Sequence, residues 1–231
     1  FLILVASFGF AQSGKLETLK SSNKDWLVSP FEQKATITNE GQNIVLNNGL
    51  VRRSFVIAPN IACFDYMNLT NGQQLIRSIE PEAKVVIDQI TYKVGGLSGQ
   101  KEKAYLQIDQ IRNLQKSDSD FVFSKYTIGK IEPFIKWKPT TWIGNAKQPT
   151  GARIEFEYIS PIAALKNIII KVHYEILDGI PLITKWISIQ NNSNKSIKIN
   201  RVVNEVLGLV EEESAVVGKP EEMKKQHGIY V

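Results

Sequence analysis

The chain has 231 residues, a formal net charge of +5 and one cysteine, so an internal disulfide framework is excluded. Its basic residues are spread along the chain and interleaved with acids, and neither a basic stripe nor a known nucleic-acid-binding motif is visible. We therefore expect no nucleic-acid partner and a globular protein with a substantial core.

The first segment, FLILVASFGFAQ, is an apolar run followed by the small residues Gly9 and Ala11. This pattern is typical of the back half of a secretory signal peptide, so residues 1–12 are interpreted as a signal remnant. The run is shorter than the roughly 20 apolar residues that cross a membrane, and no later stretch approaches that length. We expect a secreted or periplasmic protein without a membrane span, and the lack of disulfides favours the bacterial envelope.

The polar stretch 13–25 lacks apolar periodicity and is interpreted as a linker. Residues 26–231 then have the length of a single large β-domain. Its last residues, 229–231, resemble the beginning of another strand. We therefore expect the β-domain to be truncated at its C-terminal end.

From residue 26 onward, short apolar segments alternate with turn signals, which predicts an all-β, antiparallel sandwich with at most one or two short helices. The turns are expected at Asn48-Gly49, Asn71-Gly72, Asp88-Gln89 and Asp178-Gly179. Asn-Gly supplies the positive φ that tight hairpins need. A short helix or irregular segment is predicted within KAYLQIDQIRNLQKS, residues 103–117, from its apolar spacing.

The stretch VHYEILDGIPLITKWISIQNNS holds the densest set of reactive side chains. Because side chains alternate along a strand, His173 and Glu175 share the face opposite Tyr174, about 7 Å apart. One interpretation is an acid–base pair for proton transfer. The favoured interpretation is a solvated or interface-facing sheet surface of mixed charge. Trp186, on the polar face of the returning strand, is expected to pack against another layer.

Other motifs indicate structure rather than chemistry. VGGLSG, residues 94–99, lacks a P-loop lysine, so its glycines are expected to supply positive φ or close backbone approach. Cys63 alternates with Ile61 on a predicted inward face and is interpreted as a buried structural thiol. His173 and His227 are the only histidines, so neither a zinc site nor another cofactor is expected.

PFIKWKPTTWIGNAKQPTGAR, residues 133–153, is rich in proline, glycine and tryptophan and predicts a long exposed loop, a type of segment that is often functional. Trp137 and Trp142 lie there beside lysines and an asparagine. Sugars present C–H faces to aromatic rings and hydroxyls to amides and charges, so both tryptophans are candidate carbohydrate-binding residues. The alternative is that the two rings anchor the loop to the sheet.

Four ordered blocks carry a family resemblance: LNNGLVRRSFVIAPNIACFDYMNLTNGQQLIRSIEPEAKVVIDQITYKVGGLSGQ, FIKWKP, PTGARIEFEY and VHYEILDGIPLITKWISIQNNS. Together they resemble the N-terminal β-domain of bacterial alpha-galactosidase-like (melibiase) glycoside hydrolases. The resemblance covers about residues 26–217. It implies a β-supersandwich of the galactose mutarotase-like fold.

In that family a (β/α)₈ barrel follows the supersandwich and supplies the two aspartates of a retaining mechanism. This chain shows no barrel-like alternation of strands and helices, so no catalytic residue is carried over. The resemblance implies a non-catalytic domain that packs on the barrel of the same precursor. It also implies that this domain lends Trp137 and Trp142 to the edge of a pocket for a galactoside-like carbohydrate.

Two alternatives stay open. The first is a stand-alone carbohydrate-binding module that uses the same tryptophans. The second is a mutarotase-like sugar epimerase using His173 and Glu175, although the further sugar-binding histidines that a mutarotase needs are missing from this sequence.

Overall fold

The computed structural model describes residues 25–101, 104–132 and 149–210, and this part of the chain is almost entirely β. All pairings between its strands are antiparallel, which confirms the predicted fold class. Two short 3₁₀ helices, Ile108–Asn113 and Ala163–Leu165, are the helical elements there. The strands are β1 (Thr36–Glu40), β2 (Asn43–Asn47), β3 (Val51–Val56), β4 (Ala62–Asn68), β5 (Gln73–Gln74), β6 (Ile76–Ser78), β7 (Ala83–Ile87), β8 (Ile90–Val94), β9 (Val122–Lys130), β10 (Gly151–Ile159), β11 (Ile168–Leu177), β12 (Ile183–Asn191), β13 (Ile199–Val203) and β14 (Gly208–Leu209).

These strands form four sheets. The largest contains β1 to β5 in sequential order, as expected for hairpins joined by tight turns. A second sheet has the order β12-β11-β10-β9, and smaller sheets pair β13-β7-β8 and β14-β6. The chain therefore builds most of its structure from neighbouring hairpins, and β13 and β14 return late to join earlier strands.

The turn chemistry explains these hairpins. At the β2–β3 turn Gly49 has φ +81°, and the Asn48 side chain accepts hydrogen bonds from the backbone N–H groups of Leu50 and Val51, at 3.0 and 2.9 Å. At the β7–β8 turn Asp88 and Gln89 both have positive φ, which a two-residue hairpin turn needs. The turns expected at these positions are confirmed.

The main core lies between the five-stranded and the four-stranded sheets. Phe55 of β3 contacts Phe156 of β10 and Tyr174 of β11, with ring centroids 5.2 and 5.3 Å apart. The three side chains are fully buried, and β7 adds Val85 and Ile87 to the same cluster. Each buried aromatic ring removes roughly 150–250 Å² from water, so this contact is a major stabilising interaction.

The glycines of VGGLSG and the single cysteine have the structural roles that the sequence predicted. Gly95 and Gly96 have φ of +65° and +80°, and a Cβ on Gly96 would lie 2.8 Å from the Pro81 Cα. This pair therefore provides both positive φ and close backbone approach. Cys63 is buried in the main core, which confirms its structural interpretation.

The short helix predicted within 103–117 is present, whereas the predicted loop at 133–153 differs in part from the structure. Within 103–117 the helix is a single 3₁₀ stretch, because Ile111 and Leu114, three residues apart, pack on the outer face of the five-stranded sheet. Strand β10 already begins at Gly151, inside the segment expected to be a loop, because it pairs with β11 from that residue. The predicted signal remnant, the linker up to residue 24, and residues 133–148 and 211–231 lie outside the described residues. Within the described ranges no helix is long and apolar enough to span a membrane.

Candidate functional site

The reactive side chains of β10, β11 and β12 lie on the side of the four-stranded sheet that faces away from the core. Here this surface is called the polar face, and its principal members are Arg153, Glu155, His173, Glu175 and Trp186. The register places His173 opposite Glu155 on one neighbouring strand and opposite Trp186 on the other. The polar face therefore brings His173, Glu175 and Trp186, which are close in sequence, together with Arg153 and Glu155 of β10.

His173 is enclosed by its neighbours. Its ring stacks on the Trp186 ring, with centroids 4.8 Å apart and planes within 4° of parallel. The guanidinium of Arg153 lies 5.5 Å from the centre of the Trp186 ring, within cation–π range. Only 5% of His173 is exposed, so the expectation of a solvated surface does not hold for this residue.

Both ring nitrogens of His173 have polar contacts. Nδ1 lies 3.2 Å from Arg153 Nη2 and 3.2 Å from Glu155 Oε2. Nε2 lies 2.9 Å from the Ser188 hydroxyl oxygen, which can donate or accept according to the tautomer. A substrate would have to displace one of these contacts before it met a nitrogen of this ring.

Burial sets the protonation state of the histidine. It lowers the pKa of His173, although the Glu155 carboxylate opposes the shift, so the imidazole is neutral at pH 7. Burial also acts to raise the pKa of Glu155, but the 2.7 Å hydrogen bond from Lys171, together with nearby positive charges, lowers it overall. Glu155 is therefore ionised beside a neutral ring.

The pKa of Glu175 shifts in the opposite direction to that of Glu155. Burial raises its pKa, and the Thr184 hydroxyl at 3.3 Å only partly offsets this effect. Its Oε1 has no hydrogen-bond partner in the described part of the chain. In proton transfer a neutral imidazole can accept a proton, and a carboxyl group of raised pKa can donate one. Both groups must also reach a substrate.

The cavity beside the polar face does not provide that access. It measures about 210 Å³, and neither His173 nor Glu175 belongs to its lining. The residues that line it are Thr127, Gly129, Lys130, Glu132, Arg153 and Glu155. The geometry therefore supports a packed sheet surface at His173 better than an acid–base site.

A second polar cluster, which the sequence reasoning missed, lies inside the sandwich. Arg53 of β3 is bound by Glu205 through two contacts of 2.8 and 3.2 Å, and Lys185 of β12 contacts the same carboxylate at 2.9 Å. The hydroxyl of Tyr174 donates to Glu82, which lies just before β7. The alternation in VRRSFV, which places the second arginine with valine and phenylalanine, was the available signal.

The buried cluster pairs its charges but leaves some of its polar atoms without a hydrogen bond to any residue that the structure describes. Arg53 Nε, Glu82 Oε1 and the Tyr158 hydroxyl have no hydrogen-bond partner among the described residues. Burial lowers the pKa of Lys185, opposed by the charges of Glu82 and Glu205. The charged groups therefore link β3 and β12, from two sheets, to the segment before β7 and the segment after β13, and their opposite charges compensate one another.

The predicted carbohydrate-binding residues, Trp137 and Trp142, lie outside the described residues, as does His227. Within the described ranges, no group of three or more His, Cys, Asp or Glu residues is arranged to hold a metal ion. Comparison with known proteins finds no match to any family model, curated protein or solved structure.

Proposed function

We propose that the chain is the non-catalytic N-terminal β-domain of an exported alpha-galactosidase-like glycoside hydrolase, and that it packs on a catalytic (β/α)₈ barrel. The antiparallel all-β architecture supports the proposal, because it is the fold class that the sequence resemblance implies. The observation that carries its non-catalytic part is the stack of His173 on Trp186, at 4.8 Å.

This stack bears on function because it involves His173, the strongest candidate for a general acid or base in the described part of the chain. One ring face of His173 is covered by Trp186, and both nitrogens are held by side chains of the same sheet. A general acid or base must lie within hydrogen-bond reach of the proton that it transfers. The contacts around His173 therefore favour a supporting surface over a mutarotase-like site.

The polar face also has the character of a surface between domains. Its charges are paired within the sheet, as in Lys171 with Glu155 at 2.7 Å, and Trp186 and Arg153 add an aromatic and a guanidinium group. Interfaces between domains of one chain are more polar than obligate interfaces, and tryptophan and arginine are enriched in interfaces. We place the barrel contact on the polar face for this reason.

Two assays on the purified chain test the catalytic part of the proposal. Hydrolysis of 4-nitrophenyl alpha-galactoside and the change in optical rotation of fresh alpha-galactose are each expected to equal the rate in buffer. A His173→Gln variant serves as the control for trace activity. Enzymatic turnover that disappears in His173→Gln would contradict the proposal and restore the epimerase alternative.

The partner is tested by the coding sequence after Val231, which is expected to encode a barrel with two catalytic aspartates. The separately expressed barrel is then expected to co-purify with the chain, and Trp186→Ala is expected to weaken this association. Ile90→Ala, an exposed position on the three-stranded sheet, is the matched control. A stop codon after Val231, or equal binding by Trp186→Ala and the control, would contradict the assignment.

A further inference from the structure

The outer side of the five-stranded sheet carries a second concave surface, far larger than the cavity on the polar face. It measures about 770 Å³, within the roughly 300–1,000 Å³ of small-molecule sites. The sheet forms its floor, and the segment before the first 3₁₀ helix forms one wall. This surface is called the sheet cleft, and the members used below are Asn43, Arg52, Asp65, Gln74, Arg77 and Tyr105.

Strand alternation creates the floor. In β2 the side chains of Ile44 and Leu46 enter the core, so Asn43 points to the opposite side. In β3 the same alternation sends Arg53 inward and Arg52 outward. A hydrophobic strand pattern thus leaves a row of polar side chains on the outer side of the sheet.

The floor is held in place by hydrogen bonds to one carboxylate. Asp65, only 8% exposed, accepts from Arg52 Nε at 2.7 Å, from the Ser54 hydroxyl at 3.1 Å and from Gln74 Nε2 at 2.9 Å. The amide of Asn43 makes no hydrogen bond to any residue of the described ranges. The floor therefore presents a polar network fixed by Asp65, with the Asn43 amide beside it.

Hydrogen bonds also hold the wall of the sheet cleft, the segment around Tyr105, in place. Gln100 donates to the carbonyl oxygens of Arg77 and Ala104, at 3.2 and 2.8 Å, and the Leu106 N–H donates to the Arg77 carbonyl at 2.8 Å. Between these tethered residues Tyr105 leaves 54% of its surface exposed at the rim of the sheet cleft. An exposed aromatic ring on a tethered backbone is a stacking platform that loses little entropy when a ligand binds.

Charge indicates the class of ligand. The lining contains two positive groups, Arg52 and Arg77, and two negative groups, Glu40 and Asp65, so its formal charges cancel. A neutral lining does not favour phosphates, nucleotides or acidic peptides. It suits an uncharged ligand with many hydroxyl groups and apolar C–H faces, since the floor offers polar partners and Tyr105 offers a ring.

We propose that the sheet cleft binds a short neutral saccharide, with Tyr105 stacked on a sugar face and Asn43, Arg52 and Asp65 bonded to its hydroxyls. The site is built from described residues of the five-stranded sheet and the Tyr105 segment and does not depend on a barrel. It adds a ligand-binding role to the packing role proposed above.

Titration calorimetry of the whole chain tests the proposal with melibiose, maltose and cellobiose as neutral probes and galacturonate as the charged one. At least one neutral disaccharide is expected to bind, and Tyr105→Ala is expected to weaken it about tenfold. Asn43→Ala is expected to weaken it as well. Ile90→Ala is the matched control, because Ile90 is 57% exposed on another sheet, and its affinity is expected to equal wild type.

Amide chemical shifts in ¹⁵N-labelled protein locate the bound sugar and confirm that each variant is folded. Shifts confined to β2, β3, β4 and the Tyr105 segment would support the proposal. No binding of any neutral probe would overturn it, and so would a preference for galacturonate. Binding that is lost in Trp137→Ala or Trp142→Ala but kept in Tyr105→Ala would also overturn it, without bearing on barrel packing.

Discussion

The ring of Trp186 lies parallel to the imidazole of His173, with centroids 4.8 Å apart. The two residues face one another across adjacent antiparallel strands, and the pair is extended by the Arg153 guanidinium over the indole. A neutral imidazole stacks on an indole without placing another charge beside that guanidinium. The stability of the polar face is therefore linked to the protonation of one residue.

The first prediction concerns pH. Because burial lowers the pKa of His173 below its usual value of about 6.5, the unfolded chain binds more protons than the folded chain just below that pH. The free energy of unfolding is expected to fall as the pH drops through that value and to level off below the folded pKa. Urea unfolding between pH 8 and pH 5 measures this, and His173→Gln is expected to show a smaller decrease. Equal decreases in both proteins would contradict the linkage to His173.

The second prediction concerns the buried cluster. Arg53→Met removes two hydrogen bonds from the Glu205 carboxylate, which among the described residues keeps only its contact with Lys185. It also takes a positive charge away from the buried Glu82. Breaking such a pair costs about 3–5 kcal/mol, measurable by urea unfolding. Lys125→Ala is the control, because Lys125 pairs with Glu157 at 3.5 Å with 67% of its side chain exposed, and its loss is expected to cost less than about 1 kcal/mol. Similar costs for both variants would show that the cluster contributes little.

The third prediction concerns the single cysteine. Burial raises the pKa of Cys63 to about 12, so almost no thiolate exists at pH 8. Iodoacetamide is expected to leave the native protein unmodified and to alkylate it fully in urea, with intact mass as the measurement. Alkylation of the native chain at the rate seen in urea would contradict the burial of this side chain.

The fourth prediction separates backbone conformation from close packing. Gly96 and Gly72 have similar φ of +80° and +73°, but a Cβ on Gly96 would lie 2.8 Å from the Pro81 Cα, whereas a Cβ on Gly72 would contact nothing within 4 Å. Alanine at either position costs roughly 1–3 kcal/mol for the backbone strain. Gly96→Ala is expected to lower the thermal midpoint further than Gly72→Ala, because only there must backbone move. Equal thermal midpoints would show that the backbone at Pro81 moves away from the added Cβ without loss of stability.

Local sequence patterns predicted most of the secondary structure. Asn48-Gly49 and Asp88-Gln89 mark turns by their φ preferences, and the alternation around Tyr174 assigns one face of β11 to the core. Such features depend on residues within a few positions of each other. The extent of the helix near Ile111 and the start of β10 were less predictable, because packing on the sheet and pairing with β11 decide them.

The sequence by itself determined an antiparallel all-β fold, its main turns and the burial of Cys63, because turn preferences and alternation act locally. Only the tertiary structure decided that His173 is stacked beneath Trp186, that Arg53 meets Glu205, 152 positions later in the chain, and that Tyr105 stands above a polar sheet floor. The contact of Arg53 with Glu205 joins residues whose separation in sequence carries no information about distance, and the predicted hairpin of β11 and β12 does not by itself specify that the two rings stack. Burying a charge or forming a cleft requires partners that only the packing of whole sheets brings together.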